Sequence, residues 1–156
     1  MIDELRELYQ EVILDHGKHP RNFRHPANAN HEAKGHNPMC GDTVTVYLSV
    51  DEKGLIQDAA FQGRGCAISM ASASLMTEIL KDKTVAEAKK LFEGFQAMCT
   101  KEGADIADVD ADAAEKLQVL SGVREFPVRV KCATLAWHTM NNAIVGNAAG
   151  EAVSTE

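Results

Sequence analysis

The chain has 156 residues, of which 45% are hydrophobic and 25% charged, a balance typical of one globular domain with its own core. The formal net charge is −7, and six of the acidic residues lie between positions 102 and 115 with no Lys or Arg among them. Aromatic residues make up only 5%, and no basic stripe is interleaved with them, so we expect no nucleic-acid partner. The sequence contains no apolar run of membrane-spanning length and no signal-peptide pattern at its start, so we expect a cytoplasmic protein that does not contact membranes.

The first part of the chain predicts a helix followed by a loop. Apolar residues recur at helical spacing from Ile2 to Ile13, and this amphipathic helix is expected to end near Gly17. Residues 16–38 are rich in His, Pro, Gly and Asn, and we interpret them as a solvated loop because the histidine spacings match no compact metal-ligand set. His36 stays a reserve ligand, since it lies close to Cys40 in the sequence.

A β-hairpin is predicted next. Residues 43–50 alternate between apolar and polar side chains, residues 51–54 form a turn, and residues 55–62 form the return strand. Cys40 precedes the first strand and Cys66 follows the second. Because the two ends of an antiparallel hairpin lie side by side, we expect these thiols to be neighbours.

Four helices are predicted after the hairpin, and the last three have recognisable start signals. They begin near Cys66, Thr84, Asp112 and Pro127. Cys99 falls on the apolar face of the second of these helices, so we interpret it as a core residue. Cys132 lies near the N-terminal turn of the last helix. We predict one domain over residues 1–156, with a mobile tail after about residue 147.

Three cysteines therefore occupy similar positions, and Asp42 lies two residues after Cys40. Four cysteines in a reducing compartment favour metal or sulfur chemistry over disulfides. Zinc prefers four tetrahedral ligands, which three thiolates and one carboxylate supply. Arg129 precedes Cys132 by three positions, so the two share a helix face, and its charge offsets that of the thiolates.

Three segments of the chain resemble the IscU/SufU iron–sulfur assembly family. They are Asn37-Pro38-Met39-Cys40-Gly41-Asp42, Gly65-Cys66-Ala67-Ile68-Ser69-Met70-Ala71-Ser72-Ala73-Ser74 and Phe126-Pro127-Val128-Arg129-Val130-Lys131-Cys132-Ala133-Thr134-Leu135-Ala136-Trp137. The resemblance implies an α+β fold, with a small antiparallel sheet of about three strands packed against several helices. It also implies Zn²⁺ ligation by Cys40, Asp42, Cys66 and Cys132. IscU-type members have a histidine immediately before the third cysteine, where this chain has Lys131, and this difference matches the SufU-like branch.

The function that the resemblance implies is sulfur transfer for iron–sulfur cluster assembly. In this interpretation the chain is a zinc-bound, sulfurtransferase-like protein that accepts persulfide sulfur from a SufS-like, pyridoxal-phosphate cysteine desulfurase and passes it to downstream assembly proteins. Cys40 is the expected acceptor because it lies on a loop beside Gly41, and Arg129 is expected to assist the transfer.

Three alternatives stay open at this point. The chain is a scaffold on which Cys40, Cys66 and Cys132 hold a transient [2Fe–2S] cluster, or its zinc site is purely structural. A cysteine hydrolase is the weakest of the three, because His138 lies six residues after Cys132 and faces another side of the helix.

Overall fold

A computed structural model describes residues 2–38, 41–100, 111–145 and 152–154 of the chain. Its centre is a sheet in which three strands are antiparallel and a short fourth strand pairs in parallel with the first. The strands are β1 (His31–Asn37), β2 (Asp42–Val50), β3 (Ile56–Arg64) and β4 (Ala152–Ser154), in the spatial order β3-β2-β1-β4. The predicted α+β class and antiparallel sheet are confirmed.

Helices account for most of the remaining described residues. They are α1 (Ile2–Lys18), α2 (Ala67–Leu80), α3 (Val85–Thr100), α4 (Ala111–Leu117) and α5 (Pro127–Val145), with a 3₁₀ helix (Gln118–Glu125) between the last two. The predicted capping box opens α3, because the Thr84 N–H donates to Glu87 Oε1 at 3.0 Å and the Glu87 N–H donates to Thr84 Oγ1 at 3.1 Å. The helix starts predicted from the sequence are therefore close to those in the structure.

The hydrophobic core lies between one face of the sheet and the helices packed on it. Helix α2 packs against β3, and α5 packs against β1 and β2. Trp137 is fully buried in α5, and its ring centroid lies 5.0 Å from that of Phe95 in α3. Cys99 is also fully buried in this core, as its position on the apolar face of α3 predicted. This packing holds the N-terminal part of α5 close to the sheet.

Strand β1 was not predicted from the sequence, because it falls within the segment interpreted as a loop. Its inward-facing residues are Ala33, Gly35 and Asn37, and none of them is a large apolar side chain. Hydrophobic alternation, which identifies strands such as β2, is therefore missing from β1. The pairing of β1 along β2, from His31 with Leu48 to Asn37 with Asp42, shows that the interpretation of residues 31–37 as loop was wrong.

The predicted mobile tail and the acidic segment fall largely outside the described residues. Residues 152–154 pair with β1, opposite Lys34 to His36. Residues 146–151, 155–156 and 101–110 are not described, so the mobility expected after residue 147 stays a prediction.

Candidate metal centre

Asp42 supplies the carboxylate of the candidate site and is the first residue of β2. Its side chain is 1% exposed, and its Oδ1 accepts a hydrogen bond of 3.0 Å from the backbone N–H of Cys66. The other oxygen, Oδ2, is buried and has no hydrogen-bond donor within the described part of the chain. A buried carboxylate oxygen without a donor is costly unless a cation faces it. Asp42 is therefore placed as a metal ligand would be.

Gly65 makes the close approach between Asp42 and Cys66 sterically allowed. A Cβ at position 65 would lie 2.5 Å from Asp42 Oδ1 and 2.9 Å from its Cγ. Any larger residue would push the carboxylate away from the Cys66 N–H. This role of Gly65 was not predicted from the sequence, because it depends on a contact with Asp42, which lies on another strand.

Cys66 is the N-cap residue of α2 and is half-buried. Its Sγ accepts a hydrogen bond of 3.5 Å from the backbone N–H of Ser69. The first N–H groups of a helix have no intrahelical acceptor, so a thiolate here satisfies one of them and lies at the positive end of the helix dipole. The predicted position of Cys66 at a helix N-terminus is confirmed, and the Ser69 N–H is the group that its sulfur contacts there.

Cys132 reaches the same point from α5. It is the sixth residue of that helix and is fully buried. Its own N–H lies beyond the first four, which are the groups without intrahelical acceptors. Cys132 therefore lies next to the N-terminal turn, as its spacing from Pro127 predicted, and it is held there by burial in the second turn.

The three side chains converge. One ligand atom each from Asp42, Cys66 and Cys132 lies within 4.8 Å of the other two. Thiolates together with a carboxylate are a donor set suited to Zn²⁺ rather than to Mg²⁺ or Ca²⁺, which prefer oxygen ligands alone. The Zn–S distance of about 2.3 Å places tetrahedral ligands roughly 4 Å apart, which is compatible with this grouping. The residues present fit a zinc ion.

Arg129 provides positive charge at the same site. It is the third residue of α5, its side chain is exposed, and its guanidinium lies within hydrogen-bonding reach of both thiols. The negative charge of the Cys66 thiolate, and secondly that of the Cys132 thiolate, raises the pKa of Arg129 above its ordinary value. The sequence predicted that Arg129 and Cys132 share a face of α5, and in the structure Cys66 also lies beside Arg129.

Cys40, the fourth predicted ligand, lies outside the described residues. The described residues on either side belong to the turn between β1 and β2, where the Gly41 N–H donates to the Asn37 carbonyl at 2.8 Å. That turn is at the end of the sheet where Asp42 begins β2. The role of Cys40 as a ligand remains a prediction.

The other candidate ligands are elsewhere. His36 is exposed on β1 opposite Thr43 and is not part of the group, so its status as a reserve ligand gains no support. His138 packs edge-on against Phe92, with ring centroids 5.0 Å apart, as expected for a residue that faces away from Cys132.

Comparison with known proteins identifies the family. The pattern described as NifU-like N-terminal domain matches residues 8–133. The chain belongs to this family, which includes the IscU and SufU proteins of iron–sulfur cluster assembly. The predicted resemblance is thereby confirmed. No helix in the described part of the chain is both long and apolar enough to cross a membrane.

Relatives with two different names match at the same level of identity. The zinc-dependent sulfurtransferase SufU of Bacillus subtilis is 36% identical over 150 residues, which cover 94% of this chain and 95% of that protein. The iron–sulfur cluster assembly scaffold protein IscU of Streptococcus pyogenes is 36% identical over 143 residues, which cover 92% of this chain and 86% of that protein. A solved structure from Fervidobacterium islandicum AW-1, named as a scaffold for the SUF system, has a TM-score of 0.75 and 34% identity, covering 86% of this chain and 94% of that one.

Proposed function

We propose that this protein is a zinc-dependent sulfur acceptor, which takes sulfane sulfur from a cysteine desulfurase and relays it to downstream iron–sulfur assembly proteins. The observation that carries the proposal is the convergence of Asp42, Cys66 and Cys132 within 4.8 Å, with one oxygen of Asp42 buried and lacking a donor. The similarity to a relative named as a zinc-dependent sulfurtransferase supports the same conclusion.

In this proposal Zn²⁺ is held by Asp42, Cys66, Cys132 and Cys40. When bound there, Zn²⁺ would keep the ligating thiols deprotonated, and its ligands would come from three distant parts of the chain. The protein contributes a buried carboxylate fixed by the Cys66 N–H, and a guanidinium that offsets the charge of the thiolates. Cys132 lies within α5, which packs on the sheet, and Cys66 is the N-cap residue of α2, so the backbone of each ligand is held by a packed helix.

Cys40 is the proposed acceptor because it lies in the connection between β1 and β2, outside any helix or strand bounds, and is followed by Gly41, which is in the left-handed conformation with φ +72°. The Cys40 thiolate attacks the outer sulfur of the desulfurase persulfide. A sulfur–sulfur bond forms on Cys40 while the persulfide bond on the desulfurase breaks, and the desulfurase cysteine leaves as a thiolate. No external oxidant or reductant is needed, since the sulfane sulfur is transferred without net redox change.

Arg129 is proposed to assist this transfer. Its side chain is exposed, and its guanidinium lies beside the sulfur atoms of Cys66 and Cys132. A negatively charged persulfide that approaches the metal site would therefore be attracted by this positive charge. Such chemistry requires reduced thiols, and we therefore place the protein in the reducing cytoplasm.

The test is mass spectrometry of the zinc-loaded protein after brief exposure to a cysteine desulfurase and cysteine. We expect one additional sulfur atom, mapped to the peptide that contains Cys40, together with faster cysteine turnover by the desulfurase. A Cys40→Ser variant should accept no sulfur. A persulfide on Cys132 with Cys40 unmodified would overturn the assignment.

The second candidate function is a scaffold for a [2Fe–2S] cluster, favoured by relatives that are named as IscU scaffold proteins at the same identity. It uses Cys40, Cys66 and Cys132 as cluster ligands and predicts a visible absorbance band after anaerobic reconstitution with iron and sulfide. A colourless, zinc-containing product that still accepts sulfur would favour the relay over the scaffold.

A further inference from the structure

Cys66 and Cys132 form a pair with unequal access to solvent. Their Sγ atoms lie within 4.8 Å of each other, although the residues are 66 positions apart in the sequence. Cys66 is half-buried at the start of α2, whereas Cys132 is fully buried in α5. Small oxidants in solution therefore reach Cys66 first and find Cys132 directly behind it.

The surroundings of Cys66 allow its sulfur to move. Cys66 is an N-cap residue, so its backbone is extended (φ −69°, ψ 167°) rather than helical, and Gly65 precedes it. One weak contact, the 3.5 Å hydrogen bond from the Ser69 N–H, joins its Sγ to the helix backbone. A disulfide requires the two sulfurs to approach to about 2.05 Å, and rotation of the Cys66 side chain shortens the gap without disturbing the buried partner.

We propose that Cys66 and Cys132 are a reversible oxidation site, at which a peroxide converts the two thiols into a disulfide and so prevents zinc binding. The inference rests on the proposed metal site, because the same two sulfurs are its ligands. In the first step the Cys66 thiol is oxidised to a sulfenic acid, and the peroxide is reduced to water. In the second step the Cys132 sulfur attacks the sulfenic acid sulfur, the S–S bond forms, and a second molecule of water leaves.

The disulfide has a direct consequence for the site. It removes the two thiolates that would bind zinc together with Asp42. A disulfide sulfur is a poor replacement for a thiolate as a zinc ligand. Reduction by a dithiol restores both ligands. The redox state of this pair would therefore decide whether the protein is loaded with metal, independently of the sulfur that Cys40 carries.

The test treats the full-length, zinc-loaded protein with hydrogen peroxide and follows zinc release with a chromophoric chelator. After alkylation of the remaining thiols, we expect zinc release to accompany the loss of two hydrogens and a cross-linked peptide pair containing Cys66 and Cys132. Dithiothreitol followed by zinc should restore the original mass and metal content. A parallel sample stripped of zinc by a chelator should form the same disulfide faster.

Two comparisons keep the test decisive. Cys99 is as fully buried as Cys132 but lies in the hydrophobic core, so it should stay reduced and alkylate only after denaturation. The Cys40→Ser variant should still form the disulfide, although it cannot accept sulfur. A disulfide that contains Cys40, an absence of disulfide in the stripped protein, or the same mixture of pairings in urea-denatured protein would each overturn the inference. Failure here would leave the persulfide on Cys40 unaffected.

Discussion

Replacing Gly65 with Ala tests whether the contact between Asp42 and Cys66 organises the site. The new Cβ would lie 2.5 Å from Asp42 Oδ1, and nothing at that distance can be accommodated without moving the carboxylate. The 3.0 Å hydrogen bond to the Cys66 N–H would then be lost or strongly bent. Gly65→Ala therefore moves the Asp42 carboxylate away from the backbone of Cys66 without altering either candidate ligand.

The size of the effect follows from the character of that hydrogen bond. A bond to a charged group contributes about 1.5–3 kcal/mol, and Asp42 is 1% exposed, so water cannot readily replace its lost donor. We expect the free energy of unfolding of the zinc-free protein to fall by about 2 kcal/mol. Misplacing a ligand by this amount should lower zinc affinity by about 10- to 100-fold, as is typical when the support of a ligand is removed.

The assay combines chemical denaturation of the zinc-free protein with competition for zinc against a chromophoric chelator. Gly122→Ala is the matched control, since a Cβ at Gly122 would meet no atom within 4 Å. This control should not destabilise the protein and should leave zinc affinity unchanged. If Gly65→Ala behaves like Gly122→Ala in both measurements, the contact between Asp42 and the start of α2 does not organise the site.

Three further predictions concern metal content, sulfur transfer and pH. Cys132→Ser should lose zinc and melt at a lower temperature, whereas Cys99→Ser should keep its zinc even though it is destabilised; the reverse pattern in a metal analysis would show that the site is misassigned. Arg129→Ala should reduce acceleration of the desulfurase by about 10-fold or more while zinc content changes little, and an equal loss of both would make Arg129 a structural residue. Burial, and secondly the positive charge of Arg21, lower the pKa of His16, whose Nδ1 lies 2.7 Å from Ser74 Oγ; the nearby Glu78 and Asp15 oppose this shift and Lys116 adds to it. Protonation is then harder in the folded than in the unfolded protein, so stability present above pH about 6.5 is lost as the pH falls below that value. Denaturation curves between pH 7 and 5 should show a smaller loss of unfolding free energy for His16→Asn than for the wild type. His138, whose pKa burial also lowers, contributes equally to both proteins. An identical dependence of stability on pH in the two proteins would contradict this effect of His16.

The hairpin of β2 and β3 and the helix starts could be predicted because each has a local signal. Strand β2 alternates between apolar and polar residues, and the Thr84 capping box fixes the start of α3. The hairpin geometry predicted that the thiols of Cys40 and Cys66 are neighbours; Cys40 lies outside the described residues, so this stays a prediction, but Asp42, two residues later, does contact the Cys66 N–H. Local periodicity was sufficient wherever one face of an element packs on the core.

The features that could not be predicted depend on contacts between distant residues. Strand β1 carries small inward-facing residues, since α5 packs against it, and it therefore has no apolar alternation to identify it. The pairing of His16 with Ser74 joins α1 to α2 across 58 positions, and neither residue is unusual in its local sequence. The convergence of Cys132 with Asp42 and Cys66 likewise joins three distant parts of the chain, and no local pattern shows which side chains meet there.

Because the metal-binding group contains no histidine among the described residues, our proposal gives Cys40 two roles that it cannot fill at the same time. Among the described residues, the group that can hold a metal contains Asp42, Cys66 and Cys132 and no histidine, and residue 131 is a lysine. In our proposal the fourth ligand must then be Cys40, which is also the sulfur acceptor. The site should consequently retain zinc without Cys40, but more weakly, because three ligands remain and two of them are held by helices packed on the sheet.

Cys40→Ser tests this argument against Cys132→Ser. Cys132 is fully buried, so its loss leaves a hole within the packed interior, whereas Pro38 and Gly41, the described residues that flank the segment containing Cys40, are exposed. We expect Cys40→Ser to bind one zinc with affinity reduced by about 10- to 100-fold, and Cys132→Ser to bind none at the same concentration. The measurement is chelator competition on both variants, with circular dichroism to show that each is folded. Equal loss of zinc in the two variants would mean that Cys40 is as essential for zinc binding as the buried Cys132. Cys40 could then not leave the metal to accept sulfur, and the acceptor would have to be another residue.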